Sequence, residues 1–145
     1  MHGNVTVLLL ALFVALRVTV DARACTVDVS PVSFGTVDLD RINRSNGRID
    51  LECPVDTTAE IAISGQSVGS LRAMSGPGGH LLYYQLAADS GFRRPWGDGG
   101  SSGDPVRVGL YAGQRVRVPV YGVVPAQPGV PEGDYSDQLV VTITY

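Results

Sequence analysis

The side chains that could carry out catalysis are few, and His80 is the most informative of them. Hydrolytic triads and Cys-His pairs need a histidine that a carboxylate orients beside an activated nucleophile. His80 follows the turn-forming sequence GPGG and begins a strand-like run, which is typical of a solvent-exposed loop histidine. The sequence therefore indicates that the protein is not an enzyme. Turnover that His80→Ala abolishes would contradict this interpretation.

Cysteine and acidic residues could bind a metal, but their spacing argues against it. Cys25 and Cys53 lie far apart, and His80 is the only histidine beyond the apolar N-terminal region, so they do not form a zinc-binding set. Asp98 and Asp104 lie in the sequence GDGGSSGD, whose spacing does not match an EF-hand loop and which no glutamate closes. This stretch is typical of a turn, and we predict neither a metal site nor a cofactor.

Aromatic and cationic residues cluster in the sequence YYQLAADSGFRRPWGDG. Tyr83, Arg93, Arg94 and Trp96 would form a recognition surface for sugars or for a protein partner if their side chains were exposed. The alternative is an aromatic pair in the core beside a hairpin. Adjacent Tyr83 and Tyr84 must point to opposite faces of a strand, so we expect at least one of them in the core.

The bulk composition limits the class of protein. The chain has 145 residues and a formal net charge of −3, which suit one domain. All of its basic residues are arginines, and they are scattered rather than arranged in a stripe. A mildly acidic chain of this kind has no electrostatic reason to bind nucleic acid, and we predict no nucleic-acid partner.

The N-terminal residues 1–24 are predicted to be a signal peptide, and residues 25–145 a single domain. Residues 5–16 form an apolar run of the length of a signal-peptide core, too short to span a bilayer comfortably. Ala22 and Ala24 form a small-x-small cleavage site before Cys25. The first residues carry no Lys or Arg, so an uncleaved anchor remains the alternative. Export to an oxidising compartment would pair Cys25 with Cys53, worth roughly 3–4 kcal/mol.

The rest of the chain has the pattern of an all-β protein without a convincing helix. Turn residues separate short strand-like runs at 25–30, 31–37, 47–53, 59–65, 80–89, 105–111, 114–124 and 139–145. The stretches 75–79 and 97–104 resemble hairpin turns or loops, and the proline-rich 125–134 resembles a crossing between strands. This arrangement favours an antiparallel β-sandwich of the immunoglobulin type.

Two runs alternate clearly enough to assign their faces. In the run 114–124, Val116, Val118 and Val120 are predicted to face the core, and Pro119 removes a backbone donor, so this strand should lie at an edge or be bulged there. The terminal run alternates between apolar and mostly polar residues, and its core face comprises Leu139, Val141, Ile143 and Tyr145. Which strand lies beside this terminal run is not evident from the pattern.

Three blocks of the sequence resemble the spore coat protein U domain family. They are CTVDVSPVSFGTVD from Cys25, LLYYQLAADSGFRRPWGDG from Leu81 and YGVVPAQPGVPEGDYSDQLVVTITY from Tyr121. The last block is the most specific, and the resemblance covers essentially the whole of residues 25–145. The family includes secreted spore-coat proteins and subunits of archaic (Csu-type) chaperone–usher pili.

The resemblance implies an incomplete immunoglobulin-like sandwich that a donor strand from another chain completes. The implied partners are a periplasmic chaperone, an outer-membrane usher and a neighbouring pilus subunit. The implied location is the periplasm and then the cell surface or a coat, with roles in adhesion and biofilm formation. The predicted donor-strand groove comprises Val27, Val29, Val32, Phe34, Leu139, Val141, Ile143 and Tyr145.

One feature departs from the pattern of polymerising subunits, which carry a donor segment before the first cysteine. Cleavage after Ala24 would leave nothing to donate, which indicates a terminal or tip subunit. Cleavage near Ala15 would instead leave a short donor in which Val18 and Val20 alternate. A spore-coat protein or a free-standing secreted β-sandwich that acts as a binding module is the alternative function.

Overall fold

The computed structural model describes residues 4–7, 12–15 and 24–145. The strands are β1 (Asn4–Val7), β2 (Leu12–Ala15), β3 (Thr26–Ser30), β4 (Gly35–Asp38), β5 (Asn43–Glu52), β6 (Thr57–Ser64), β7 (Ser67–Val68), β8 (Leu71–Ser75), β9 (Leu81–Ala87), β10 (Val106–Leu110), β11 (Arg115–Val124), β12 (Asp134–Tyr135) and β13 (Leu139–Thr144). A short 3-10 turn at Pro77–Gly79 joins β8 to β9. In the described part of the chain, no helix has the length and apolar character needed to cross a membrane.

Two main sheets face each other, as the sequence predicted for a sandwich. One has six strands in the order β3-β5-β11-β9-β8-β7, and the other has four in the order β10-β6-β13-β2. A small third sheet has the order β12-β1-β4. The all-β sandwich is confirmed.

The core lies between the two main sheets and follows directly from the alternation of the strands. In β6, Ala59, Ile61 and Ile63 are buried, while the residues between them are partly exposed. β13 lies antiparallel to β6, and its register pairs Val141 with Ile63. Side chains at every second position of neighbouring strands thus meet on one face of the sheet and form a continuous apolar layer.

Strand β11 confirms the predicted alternation and explains its proline. It pairs with β5 along its whole length, from Arg115 opposite Glu52 to Val124 opposite Asn43. On its other side the ladder with β9 begins only at Tyr121. Pro119 therefore lies where one flank of the strand has no ladder partner among the described residues, and the missing N–H is tolerated there.

Strand β8, one arm of a hairpin with β9, was not predicted from the sequence. Its sequence LRAMS has a charged residue, Arg72, at the second of five positions, which does not indicate a strand whose centre is buried. The structure pairs Arg72 with Tyr84 of β9 in an antiparallel register. The predicted turn at 75–79 is confirmed as the connection between these two strands.

Candidate functional site

The outer edge of β13 is the first feature that points to function. Its inner edge pairs with β6, from Val140 opposite Ser64 to Thr144 opposite Glu60. Its outer edge pairs in parallel with β2, from Leu139 opposite Leu12 to Thr142 opposite Ala15. Because β2 lies inside the predicted signal peptide, residues 24–145 contribute no strand to this edge.

The other described part of the predicted signal peptide is β1, which lies between β12 and β4 in the third sheet. It pairs antiparallel with β4, from Asn4 opposite Asp38 to Val7 opposite Gly35. It also pairs in parallel with β12, with Thr6 opposite Asp134. The remainder of the predicted signal peptide, its cleavage site included, lies outside the described residues except for Ala24.

An apolar pocket opens between β13 and the edge strand β3 of the opposite sheet. We call it the terminal-strand cleft, and it is lined mainly by Val29, Val32, Ile49, Ile63, Val120 and Leu139. Val29 belongs to β3 and Leu139 to β13, so the two sheet edges border the same pocket. Apolar side chains on both sides of such a pocket are what a strand that covers the outer edge of β13 requires.

The predicted groove residues fall into three groups. Val32, Leu139, Val141 and Ile143 are buried, with at most 7% of their surface exposed. Val27, Val29 and Phe34 are partly buried and pack against the core.

Tyr145 is the exception among the predicted groove residues, with 42% of its surface exposed. It follows the last paired residue of β13, Thr144, and the ladder that would hold it against the core has ended. The prediction that Tyr145 faces the core is therefore wrong.

The predicted disulfide is confirmed. Cys25 and Cys53 are bonded, and their Cα atoms lie 4.2 Å apart. The bond fastens the start of β3 to the end of β5, two strands that also pair along their backbones. It therefore fixes the edge strand that forms one wall of the terminal-strand cleft.

Trp96 lies in the core, so the prediction that it contributes to an exposed recognition surface is wrong. None of its surface is exposed, and its indole Nε1–H donates a hydrogen bond to the Ile61 carbonyl at 2.9 Å. Its backbone N–H donates to the Leu86 carbonyl at 2.9 Å. One residue thus joins strands of opposite sheets, because a large ring with a single polar group can satisfy that group inside the core.

Arg72 is buried beside Trp96, and no sequence pattern indicated this burial. Only 1% of its surface is exposed, and its Nη2 donates to the carbonyls of Ile63 at 2.6 Å and Trp96 at 2.9 Å. Burial lowers the pKa of this guanidinium, while the nearby Tyr84 and Asp137 favour its charged form. A buried arginine of this kind fixes the geometry of the surrounding backbone.

Tyr84 and Asp137 form a buried pair close to Arg72. The Tyr84 hydroxyl donates to Asp137 Oδ2 at 2.5 Å. Burial raises the pKa of the Tyr84 hydroxyl and also that of the Asp137 carboxyl. The pair joins β9 to the residues that lead into β13, and it holds the end of the chain against the six-stranded sheet.

A tyrosine near the start of β13 reinforces this attachment. The hydroxyl of the buried Tyr135 donates to the Pro131 carbonyl, four residues upstream, at 2.8 Å. The arrangement matches the tyrosine corner of immunoglobulin-like sandwiches. A Cβ at Gly76 would lie 2.4 Å from the Tyr135 ring, so only glycine fits there.

The remaining residues of the predicted recognition surface lie in different surroundings. Arg93 and Arg94 are exposed neighbours on the loop after β9, whereas Tyr83 is half-buried within β9. The Gln127 amide holds the Tyr83 backbone, since its Oε1 accepts from the N–H and its Nε2 donates to the carbonyl, both at 2.8 Å. The structure therefore leaves the two arginines as the exposed part of that surface.

The structure also bears on the enzyme and metal questions. His80 is exposed, and the described residues contain no group of three or more potential ligands that could hold a metal. The expectation that no serine lies in a G-x-S-x-G motif, on which the prediction of a non-enzyme partly rested, is wrong, because Gly65–Gly69 reads G-Q-S-V-G. Ser67 lies in the two-residue strand β7, which pairs antiparallel with β8, whereas that motif requires a strand-to-helix turn.

Comparison with known proteins identifies the fold family. The model of the Spore Coat Protein U domain matches residues 10–142. Protein U of Myxococcus xanthus is 31% identical over 130 residues, an alignment that covers 79% of this chain and 71% of that protein. The family is one of structural surface and coat domains, which agrees with an extracellular protein that carries a disulfide. This chain therefore belongs to the Spore Coat Protein U domain family.

Proposed function

We propose that this chain is an exported structural subunit of a surface fibre, assembled by a chaperone–usher pathway through strand donation. The observation that carries the proposal is that, among the described residues, the outer edge of β13 pairs only with residues 12–15, inside the predicted signal peptide. Cleavage after Ala24 would remove β1 and β2 together and leave this edge and the terminal-strand cleft without a neighbour. A strand from another chain would then take the place of β2.

The expected gain from such a strand is large compared with the stability of a domain. Removal of β1 and β2 would uncover the cleft side of several apolar residues, among them Val29, Val32, Leu139 and Val141. Full burial of such a side chain is worth about 1.5–3 kcal/mol, so the loss is on the order of 5–10 kcal/mol. Typical domains have about 5–15 kcal/mol of stability in total, so the trimmed chain would be marginal and prone to aggregate along β13.

The proposed partners are proteins that could supply a strand to this edge. An incoming strand would gain affinity from backbone pairing with β13 and specificity from apolar side chains that alternate into the cleft. A periplasmic chaperone would supply the strand first, and a neighbouring subunit would replace it at the outer-membrane usher. The relative named Protein U gives no independent indication of a pilus, and a coat remains the second destination for the same assembly chemistry.

The position within the fibre depends on the mature N-terminus. A chain that starts at Cys25 accepts a strand but has none to donate, which is the property of a terminal subunit with a role in adhesion and biofilm formation. A chain that starts near Leu16 would carry Val18 and Val20 as a short donor and would lie within the shaft. Mass spectrometry of the exported protein distinguishes these two positions.

The test is co-purification of the tagged protein from periplasm with and without a candidate chaperone, and measurement of its intact mass in the same sample. We expect a stable one-to-one complex that starts at Cys25, and an aggregated or degraded chain when the chaperone is absent. A soluble monomer that starts at Cys25 and unfolds cooperatively without a partner would contradict the proposal.

A matched pair of variants sharpens this test. Val141 has none of its surface exposed, whereas its neighbour Val140 in the same strand has 38% exposed and lies on the opposite face. We expect Val141→Asp to abolish chaperone capture and Val140→Asp to retain it. Loss of capture in both variants would indicate a contact with the outer face of β13 rather than completion of the core.

A free-standing secreted sandwich is the second candidate, and the pairing of β2 with β13 specifically favours it. If the leader were retained, residues 4–15 would complete the sandwich within one chain. The same periplasmic sample decides between the two candidates, because a self-complete monomer must have a mass that includes these residues.

A further inference from the structure

The arginines of residues 24–145 differ in how their charge is satisfied. Arg41, Arg48, Arg107, Arg115 and Arg117 form ion pairs with carboxylates. Arg72 donates to buried carbonyls, and the guanidinium of Arg44 lies 5.7 Å from the centroid of the Phe92 ring. Within the described part of the chain, the guanidinium groups of Arg93 and Arg94 alone have no such partner. In an acidic protein, two adjacent unpaired cations call for an explanation.

Both of these arginines line the same cleft. The cleft has a volume of about 560 Å³, and its walls include Arg93, Arg94, Gln85, Ser101, Asp104 and Pro95. This volume is in the range of small-molecule sites. The cleft lies apart from the terminal-strand cleft, with which it shares no lining residue. It therefore represents a second candidate site with a different chemical character.

The wall that carries the arginines is held rigidly in place. The Asp89 carboxylate accepts the backbone N–H groups of Arg93 at 3.2 Å and Arg94 at 2.8 Å, and these bonds lower the pKa of that carboxyl. Phe92 has a φ of 54°, unusual for a bulky residue, and its loop ends at the buried Trp96. Asp89 is thus engaged with the backbone, which leaves both guanidinium groups available, and strained loops of this kind often lie at binding sites.

The part of the wall around Gly103 and Asp104 is constrained as well. Gly97 N–H donates to the Asp104 carbonyl at 3.0 Å, and Asp104 N–H donates to the Pro95 carbonyl at 3.2 Å. A Cβ at Gly97 would lie 2.4 Å from the Gly103 carbonyl oxygen, so the two backbones approach closely. The cleft is therefore formed by backbone contacts in the folded chain and does not require a ligand to shape it.

We propose that this cleft binds an acidic polysaccharide, with a sugar carboxylate held by Arg93 and Arg94. A guanidinium matches the planar carboxylate with two parallel hydrogen bonds. Asp104, Ser101 and Gln85 supply the carboxylate, hydroxyl and amide groups that bind sugar hydroxyls. Asp104 also disfavours a doubly charged group beside the two arginines, which selects the singly charged carboxylate of a hexuronate residue over a phosphate. The proposal does not depend on strand donation.

The experiment measures binding to the full chain as isolated from periplasm, together with any partner strand that it carries. The probe is oligogalacturonate, and the matched control probe is the same oligomer with its carboxylates methyl-esterified. Arg93→Gln/Arg94→Gln is compared with Arg41→Gln/Arg107→Gln, which removes the same charge from exposed ion pairs outside the cleft. Thermal unfolding verifies that each variant is folded, as we expect for exposed side chains.

We expect oligogalacturonate to bind and its methyl ester not to bind. The Arg93/Arg94 variant should lose at least about tenfold in affinity for oligogalacturonate, because the charged hydrogen bonds of two exposed arginines together contribute about that much binding free energy. The control variant should change affinity by less than about twofold. The proposal is overturned if the natural protein does not bind, if both variants lose affinity equally, or if inorganic pyrophosphate binds more tightly than the sugar acid.

Discussion

The ladder between β5 and β11 and the ladder at the outer edge of β13 use the same alternation of residues but differ in the origin of the second strand. β5 and β11 both lie within residues 43–124 and pair along their full length. The outer edge of β13 pairs with β2, which lies in the predicted signal peptide. Alternation therefore specifies which face of a strand is buried, but it does not specify which strand covers its edge.

The outward-facing side chains of the two ladders also differ in their contacts. On the β5–β11 ladder, the Asp50 carboxylate is ion-paired with Arg117 at 3.0 Å, Arg115 at 3.3 Å and Arg48 at 3.4 Å. Beside β13, the outward-facing Val140 has 38% of its surface exposed. The first ladder is formed within residues 43–124, whereas the outer edge of β13 pairs with a strand that lies outside residues 25–145.

Removal of the leader should have the largest effect and would test the comparison directly. A chain that begins at Cys25 lacks β1 and β2, and we expect it to lose on the order of 5–10 kcal/mol of unfolding free energy because the terminal-strand cleft is uncovered. Urea denaturation of the oxidised chain, with and without residues 1–24, measures this loss. Equal urea midpoints would mean that the edge of β13 needs no neighbour.

Loss of the disulfide, which joins β3 to β5 in the six-stranded sheet, should have the next largest effect on the free energy of unfolding. Replacement of both Cys25 and Cys53 with serine should cost about 3–4 kcal/mol, since the bond closes a loop with a sequence separation of 28 residues. Thermal unfolding of the full chain measures it. Chaperone capture should weaken as well, because the bond fixes β3 at the cleft, and unchanged capture would argue that β3 is not a wall of the acceptor site.

The tyrosine corner should have a smaller effect at the entry to β13. Tyr135→Phe removes the hydroxyl that donates to the Pro131 carbonyl, and we expect a loss of about 0.5–1.5 kcal/mol of unfolding free energy. Tyr145→Phe is the matched control, because Tyr145 is exposed and its hydroxyl donates no hydrogen bond among those described. It should change stability by less than about 0.5 kcal/mol in chemical denaturation.

The smallest predicted effect is the pH dependence of stability that arises from Asp50, on the ladder between β5 and β11. The Arg117 and Arg115 side chains hold the pKa of Asp50 below its ordinary value of 3.8. The unfolded chain therefore takes up this proton at a higher pH than the folded chain does. The stabilisation is present above pH 3.8 and is lost as the pH falls through the lower folded pKa.

The pH effect is measured as the difference in melting temperature between the natural protein and Arg117→Gln from neutral to strongly acidic pH. We expect this difference to shrink as the pH falls below the ordinary pKa of Asp50. The raised pKa of Asp137 affects both proteins alike and cancels in the comparison. A difference that stays constant with pH would show that Arg117 stabilises the sheet through packing alone.

Local patterns predicted a large part of this fold and several of the residues that line the terminal-strand cleft. The alternation of Leu139, Val141 and Ile143 identified the buried face of β13, and Cys25 with Cys53 identified the disulfide. These features depend on the period of a strand and on the oxidising compartment, both of which are readable from sequence. The placement of Trp96 was left open between a recognition surface and the core, since an indole in a glycine-rich loop is compatible with both, and the structure places it in the core.

Arg72 marks the limit of prediction from sequence. A charged residue in a short run indicates an exposed position, and only the carbonyls of Ile63 and Trp96, which are distant in sequence, make its burial tolerable. The same holds for Arg93 and Arg94, whose free guanidinium groups result from the engagement of Asp89 with the backbone.

The sequence by itself determined the all-β class, the faces of the strong strands, the disulfide and the family. The tertiary structure alone decided that β2, and no strand of residues 24–145, lies at the outer edge of β13, and that two arginines share a cleft with Asp104. The physical reason is that side-chain periodicity is local, whereas the partner of a strand edge and the counter-charge of a cation are set by segments far apart in the chain.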